Sequence, residues 1–350
     1  MRRLVYVCVL IFGGIGGWLA VQAKHPFGLN YRRVVLNLPV TYSKFLQQSN
    51  YALGEKYLAE DMANVLQQLG FDTKIYALED VYSNKNFRAG YEIYMRAFPE
   101  LQFSDYHNYF DNDKIAVLYE TIPYTFDEVA QADVVFTGSM KKNREYREKG
   151  IYSHFLPQFT RLDKFYYAPK SELKTKLLFV GNRWPDTENR KSVQYAMEYG
   201  LELDVYGAWW DTVLTGEYAK LHKGKQILSD KLKYYYSSAD IVLNDTREDM
   251  IEAGFISNRI FDVTACGGFI ISDYIPEIEE IYGDTVPMYK TKEEFKMLID
   301  YYLAHPEERR EKALRAQKIT RERFGAEQAM AEMMRILEEY RRMRGLGENE

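Results

Sequence analysis

The chain has 350 residues, 46% hydrophobic and 28% charged, which suits about two domains and excludes disordered, collagenous and multi-spanning membrane classes. Its net charge is -5 with both signs mixed along the sequence, so it offers no basic footprint and no nucleic acid partner is expected. Two cysteines, Cys8 and Cys266, and five scattered histidines build neither a disulfide framework nor a metal site, and no metal is expected.

The chain opens on Arg2 and Arg3 and an uncharged stretch over residues 4–21, with Lys24, Arg32 and Arg33 beyond it. At about 1.5 Å per residue this reaches across a bilayer core of roughly 30 Å, so residues 1–31 are expected to hold an N-terminal hydrophobic helix. It reads as a membrane anchor or as a signal peptide cut near Ala23. Gly13, Gly14, Gly16 and Gly17 do not make a dinucleotide fingerprint, because Leu19 stands where the third glycine of G-x-G-x-x-G belongs.

From Val34 strands and helices alternate. Residues 34–38 read as a strand, Leu58, Met62, Val65, Leu66 and Leu69 recur at helical spacing before Gly70, and residues 74–78 read as the next strand. Residues 115–119 and 133–137 are continuous apolar runs of the kind found in sheets covered on both faces. Residues 151–170, with Pro157 and Pro169 and no clean periodicity, are the expected linker. A second series follows, with strands over 176–180, 201–206, 240–244 and 269–272 and helices starting near Asn189, Asp230 and Asn258. The expected division is a leader over 1–31, a first domain over 32–165, a second over 166–325 and a C-terminal helix and tail over 326–350. Both domains read as Rossmann-like, doubly wound α/β units, with a ligand cleft between the carboxyl ends of their parallel sheets.

Two stretches of the second half carry chemistry. Gly181, Asn182 and Arg183 follow a strand and lead to Arg190 and Lys191 at a helix start, a turn where cations and helix amides can meet an anion. Ser257 and Asn258 then begin a helix that ends at Gly267 and Gly268, and Arg259 and Asp262 share one face of its first turns. An arginine and free amides there suit phosphate, and the carboxylate suits ribose hydroxyls.

These runs resemble the donor-binding segment of GT-B glycosyltransferases, and the second half resembles the CgeB-like, spore-maturation-protein-type group. The similar stretches are LLFVGN, DVYGAWW, YYYSSADIVLND and MIEAGFISNRIFDVTACGGFIISD, with looser likeness in GEKYLAEDMANVLQQLG, ADVVFTGS and LPQF. The resemblance implies a hexosyltransferase-type enzyme without metal or cofactor, with a nucleoside diphosphate sugar as substrate. Its donor would be held by Gly181, Asn182, Arg183, Arg190, Gly207, Asn258, Arg259, Asp262 and Gly267. The acceptor, held mainly by the first domain, would be a cell-surface glycan, a glycolipid or other lipid-linked molecule, or a protein. Glu55, Glu120 and His154 are the acid or base candidates, although a retaining enzyme can pass the acceptor's proton to the leaving phosphate. Related families carry two glutamates eight positions apart; Asp262 stands at the second position and Gly254 at the first. That departure keeps open a non-catalytic GT-B-like binding or scaffold protein. Nucleotide sugars are made in the cytoplasm, so the expected location is membrane-associated with the catalytic part on that side; export after cleavage is the alternative.

Overall fold

The computed structural model describes residues 29–38, 54–77, 80, 88–95, 114–183 and 190–346. The hydrophobic leader lies outside the described residues; among those described, no helix is long and apolar enough to cross a membrane.

In chain order the first half contains β1 (Asn30–Asn37), α1 (Gly54–Gln68), β2 (Asp72–Tyr76), β3 (Ala89–Met95), β4 (Ile115–Glu120), α2 (Phe126–Val129), β5 (Val134–Thr137), α3 (Met140–Glu148) and β6 (Ser153–Phe155). Its strands form one parallel sheet in the order β2-β1-β3-β4-β5-β6. The run IAVLYE of β4 is buried throughout, as an inner strand covered by helices requires. β3 was not legible as a strand because it carries Glu92 in its middle. That carboxylate is buried and held by Lys114 Nζ at 2.7 Å and Tyr94 Oη at 2.9 Å.

The second half contains β7 (Thr175–Val180), α4 (Lys191–Glu198), β8 (Asp204–Tyr206), β9 (His222–Gly224), α5 (Leu232–Ser238), β10 (Ala239–Leu243), α6 (Glu248–Ala253), α7 (Asn258–Ala265), β11 (Ile270–Asp273), α8 (Pro276–Tyr282), β12 (Met288–Tyr289), α9 (Lys292–Ala304) and α10 (Pro306–Arg323). These strands form a second parallel sheet, β12-β11-β10-β7-β8-β9. Strand order reverses between β7 and β10, and a doubly wound sheet opens a crevice at the carboxyl ends of such a pair.

The last helix, α11 (Ala326–Met343), returns to the first sheet, where Met330, Met333, Met334 and Leu337 join the core built by β1, β3, β4 and α1. The chain therefore passes between the halves twice, and the passages touch: Thr160 donates its N–H to Phe324 O at 2.9 Å and accepts from Ala326 N–H at 2.9 Å. The expected linker over 151–170 is shorter in the structure. Residues 153–155 close the edge of the first sheet as β6, which satisfies their backbone groups against β5.

Candidate functional site

The second wall of the cleft begins where β7 ends. Gly181 donates its N–H to Tyr206 O at 2.8 Å, and its carbonyl accepts Trp210 Nε1 at 2.7 Å. Gly207 sits at φ +152°, where a Cβ would overlap the Gly181 carbonyl oxygen, so only glycine lets these two turns lie side by side. Asn182 Oδ1 accepts the Ala208 N–H at 3.0 Å, locking the turn to the DVYGAWW segment.

Arg190, half-buried at the N-cap of α4, donates Nε and Nη2 to Asn182 O at 3.3 and 3.2 Å and Nη1 to Asp245 Oδ1 at 3.3 Å. The same Asp245, just beyond β10, accepts the Ser192 hydroxyl at 2.7 Å. Arg259 donates Nη1 to Asn244 Oδ1 at 2.7 Å and lies 5.0 Å over the Phe179 ring. Burial holds its guanidinium below the ordinary arginine value, with the charge of Arg190 adding to the effect. Two cations thus stand at the β7/β10 reversal beside the N-terminus of α7, whose first turn Ser257 caps by accepting Arg259 N–H at 3.4 Å.

Asp262, one turn into α7, is 8% exposed. Its Oδ1 accepts Thr160 Oγ at 2.7 Å and its Oδ2 accepts Asn258 Nδ2 at 3.0 Å. Burial pushes this carboxyl up to about 7; the Thr160 hydrogen bond, Lys164 and Arg259 pull the other way, and Asp61 adds to the rise.

The first wall comes from the other sheet. Glu55 and Asp61 lie on α1, Thr121 follows β4, and Gln158 and Arg161 lie on the first passage between the halves. Asp61 accepts Lys164 Nζ at 3.3 Å. Burial pushes the Glu55 carboxyl up to about 7, against its own backbone N–H and the charge of Arg247. The cleft has a volume of about 400 Å³, within the roughly 300 to 1,000 Å³ of small-molecule sites.

Of the residues singled out in the sequence, Glu55, Gly181, Asn182, Arg190, Gly207, Asn258, Arg259 and Asp262 line this one cleft. Arg183, Gly267, Glu120 and His154 are not among the residues lining it. Arg183 turns to Thr212 Oγ at 3.1 Å. Gly267 ends α7 at φ +64°, beside Gln317 and Tyr167. Glu120 is buried behind its strand end, where Oε1 accepts Tyr146 Oη at 2.9 Å and burial raises its carboxyl above the usual range. His154 packs against Tyr152 at 4.8 Å and is held below the ordinary histidine value by burial and by Arg147. Gly254 ends α6 at φ +78°, and a Cβ there would overlap the Glu277 carboxylate. Sequence reasoning missed Thr160, Asp61, Asp245 and Trp210; of these, Asp61, Trp210 and Asp245 lie in stretches that carried a signal, GEKYLAEDMANVLQQLG, DVYGAWW and the end of YYYSSADIVLND, and Thr160 directly follows LPQF.

A protein-family model described as "Glycosyl transferase-like" matches residues 161–335, the part that contains α7 and the second sheet. The spore protein CgeB of Bacillus subtilis (strain 168) is 24% identical over 221 residues, covering 59% of this chain and 68% of that protein. Among solved structures, a sucrose-phosphate synthase from Thermosynechococcus elongatus superposes with a TM-score of 0.67 at 12% identity, covering 90% of this chain and 100% of that one. Anabaena HepE, solved in complex with UDP-glucose, superposes with a TM-score of 0.58 at 10% identity over 86% of this chain and 99% of that one. Two facing parallel sheets are thus shared with GT-B glycosyltransferases, and the chain belongs to the glycosyl transferase-like family.

Proposed function

We propose that the cleft transfers a glycosyl group from a nucleoside diphosphate sugar to a hydroxyl-bearing acceptor. The observation that carries this reading is the meeting of Arg190, Arg259 and the capped N-terminus of α7 at the β7/β10 reversal. Two cations and a helix N-terminus neutralise a diphosphate as it leaves, which is where charge develops in such a transfer. Asp262, one turn further along α7, is the carboxylate placed for ribose hydroxyls. HepE, which shares the fold, has been solved with UDP-glucose, a ligand of the same class.

In this reading residues 166–325 take the donor and residues 32–165 take the acceptor, with α11 closing the first unit. Glu55, on the acceptor wall and raised to about 7, is suited to receive the acceptor's proton near neutral pH. The chemistry needs no metal or cofactor in this account. The acceptor is a cell-surface glycan, a lipid-linked molecule or a protein, and the leader holds the enzyme at the membrane with its cleft in the cytoplasm. Fractionation checks the location: a soluble exported form cut after Ala23 would exclude the anchor.

Donor hydrolysis and transfer assayed across UDP-, GDP-, ADP- and dTDP-sugars, with and without a chelator, test the function. Turnover of one donor class, unaffected by chelation, is expected. A protein that turns over none of them and binds none would be a scaffold.

A further inference from the structure

The two passages of the chain between the sheets meet at Thr160, which is 1% exposed. Every polar group of this residue is used in joining. Its N–H and C=O bridge to Phe324 and Ala326 on the second passage, and its hydroxyl donates to Asp262 Oδ1 at 2.7 Å. An ionised carboxylate offers about four lone-pair sites. Thr160 takes one on Oδ1 and Asn258 takes one on Oδ2, which leaves capacity on each oxygen for a ligand in the cleft that Asp262 lines.

We infer that Thr160 is a positioning residue for donor capture: from the junction of the two sheets its hydroxyl sets the Asp262 carboxylate, so donor affinity is coupled to how the sheets are seated. The inference rests on the donor reading of Asp262 given above. Without the hydroxyl the hold on Oδ1 is lost and the carboxylate is left to Asn258 on Oδ2, so it samples more orientations, and ordering it again opposes binding. Thr160 also favours the ionised form, so its loss raises the Asp262 carboxyl further. The other groups that face Asp262 stay in place: Asp61 on α1, Lys164 on the first passage, Tyr236 on α5, Tyr282 on α8, and Arg259 and Cys266 at the two ends of α7.

The test is calorimetric titration of the full chain, from pH 6 to 9, with whichever of UDP, GDP, ADP and dTDP binds the parent most tightly. Thr160→Val keeps the side-chain shape and the backbone bridge. It is expected to weaken binding about tenfold at pH 7 and to move the pH below which affinity is lost upward. Thr160→Ser, which restores the hydroxyl, should return both readouts toward the parent, a result that a purely packing role for the threonine would not give. Thr160→Ala serves as the second hydroxyl-free variant, should the valine not fold. In an Asp262→Asn background the Thr160 substitutions should change affinity little, because the acceptor they position is gone. Parent-like affinity and pH dependence in Thr160→Val, with Asp262→Asn weakened, would overturn the role of Thr160 alone. Parent-like binding in Asp262→Asn would instead remove the donor reading of Asp262.

Discussion

Gly207 stands against the carbonyl of Gly181 so closely that any side chain at position 207 would overlap it, and the same two turns form the floor on which Arg190 and Arg259 sit. The two glycines should therefore respond differently to alanine. At Gly207 the obstruction is backbone and φ is +152°, so Gly207→Ala is expected to lower stability by about 2 to 4 kcal/mol, read as a fall in melting temperature. At Gly181 a Cβ would come 2.6 Å from Arg259 Nη2 and 3.2 to 3.3 Å from the buried Phe179 ring, side chains rather than backbone, so the guanidinium must leave its place and the ring give slightly. Gly181→Ala should lose less stability than Gly207→Ala and bind nucleoside diphosphate more weakly than the parent.

Arg190 bridges Asn182 O and Asp245 at the mouth of the β7 turn. Arg190→Ala is expected to weaken nucleoside diphosphate binding by about 1.5 to 3 kcal/mol through the lost charge-assisted hydrogen bond, and to weaken the bare nucleoside far less. Calorimetry with both ligands decides it. Equal loss for the two would assign Arg190 to holding the turn rather than the phosphates.

The wall built by the second half was legible because its residues are neighbours in sequence: Gly181, Asn182 and Arg190 share one strand-turn-helix unit, and Asn258, Arg259 and Asp262 share one helix. Of the opposite wall only Glu55 was singled out, since Thr160 and Asp262, or Asp61 and Lys164, meet only after residues about a hundred positions apart are folded together. Glu120 and His154 stand at or near strand ends, as site residues often do, yet their side chains turn into the first unit, toward Tyr146 and Tyr152. Strands of two or three residues such as β6, β9 and β12 are too short to leave a periodic pattern.

Asp262 links stability to pH in a direction opposite to the binding role proposed for it. Its carboxyl is raised from 3.8 to about 7 in the folded chain, so the protonated form favours folding. That contribution is fully present below about pH 4 and is lost as pH rises through about 7. The melting temperature of Asp262→Asn, which cannot ionise, is expected to depend less on pH across this window than that of the parent. Identical slopes in a thermal scan from pH 5 to 8 would mean that burial does not perturb this group.

Glu55 offers a separate check on the proposed acceptor role of the first wall. Glu55→Gln removes a proton acceptor raised to about 7 but leaves the second wall intact. Acceptor-dependent turnover is expected to fall by about 10²-fold or more, with the affinity for nucleoside diphosphate within about twofold of the parent. Loss of the rise in rate through about pH 7 should accompany it. Parent-like turnover in the glutamine variant would leave the proton to the leaving phosphate.

The most direct measurement is calorimetric titration of the unmodified protein with UDP, GDP, ADP and dTDP, each beside its own nucleoside. Arg190, Arg259 and the N-terminus of α7 should make one diphosphate bind at least about tenfold more tightly than its nucleoside, since at least one charge-assisted contact to phosphate is gained. Binding of no diphosphate, or of diphosphate and nucleoside with equal affinity, would contradict the assignment of this cleft as a nucleotide-sugar site.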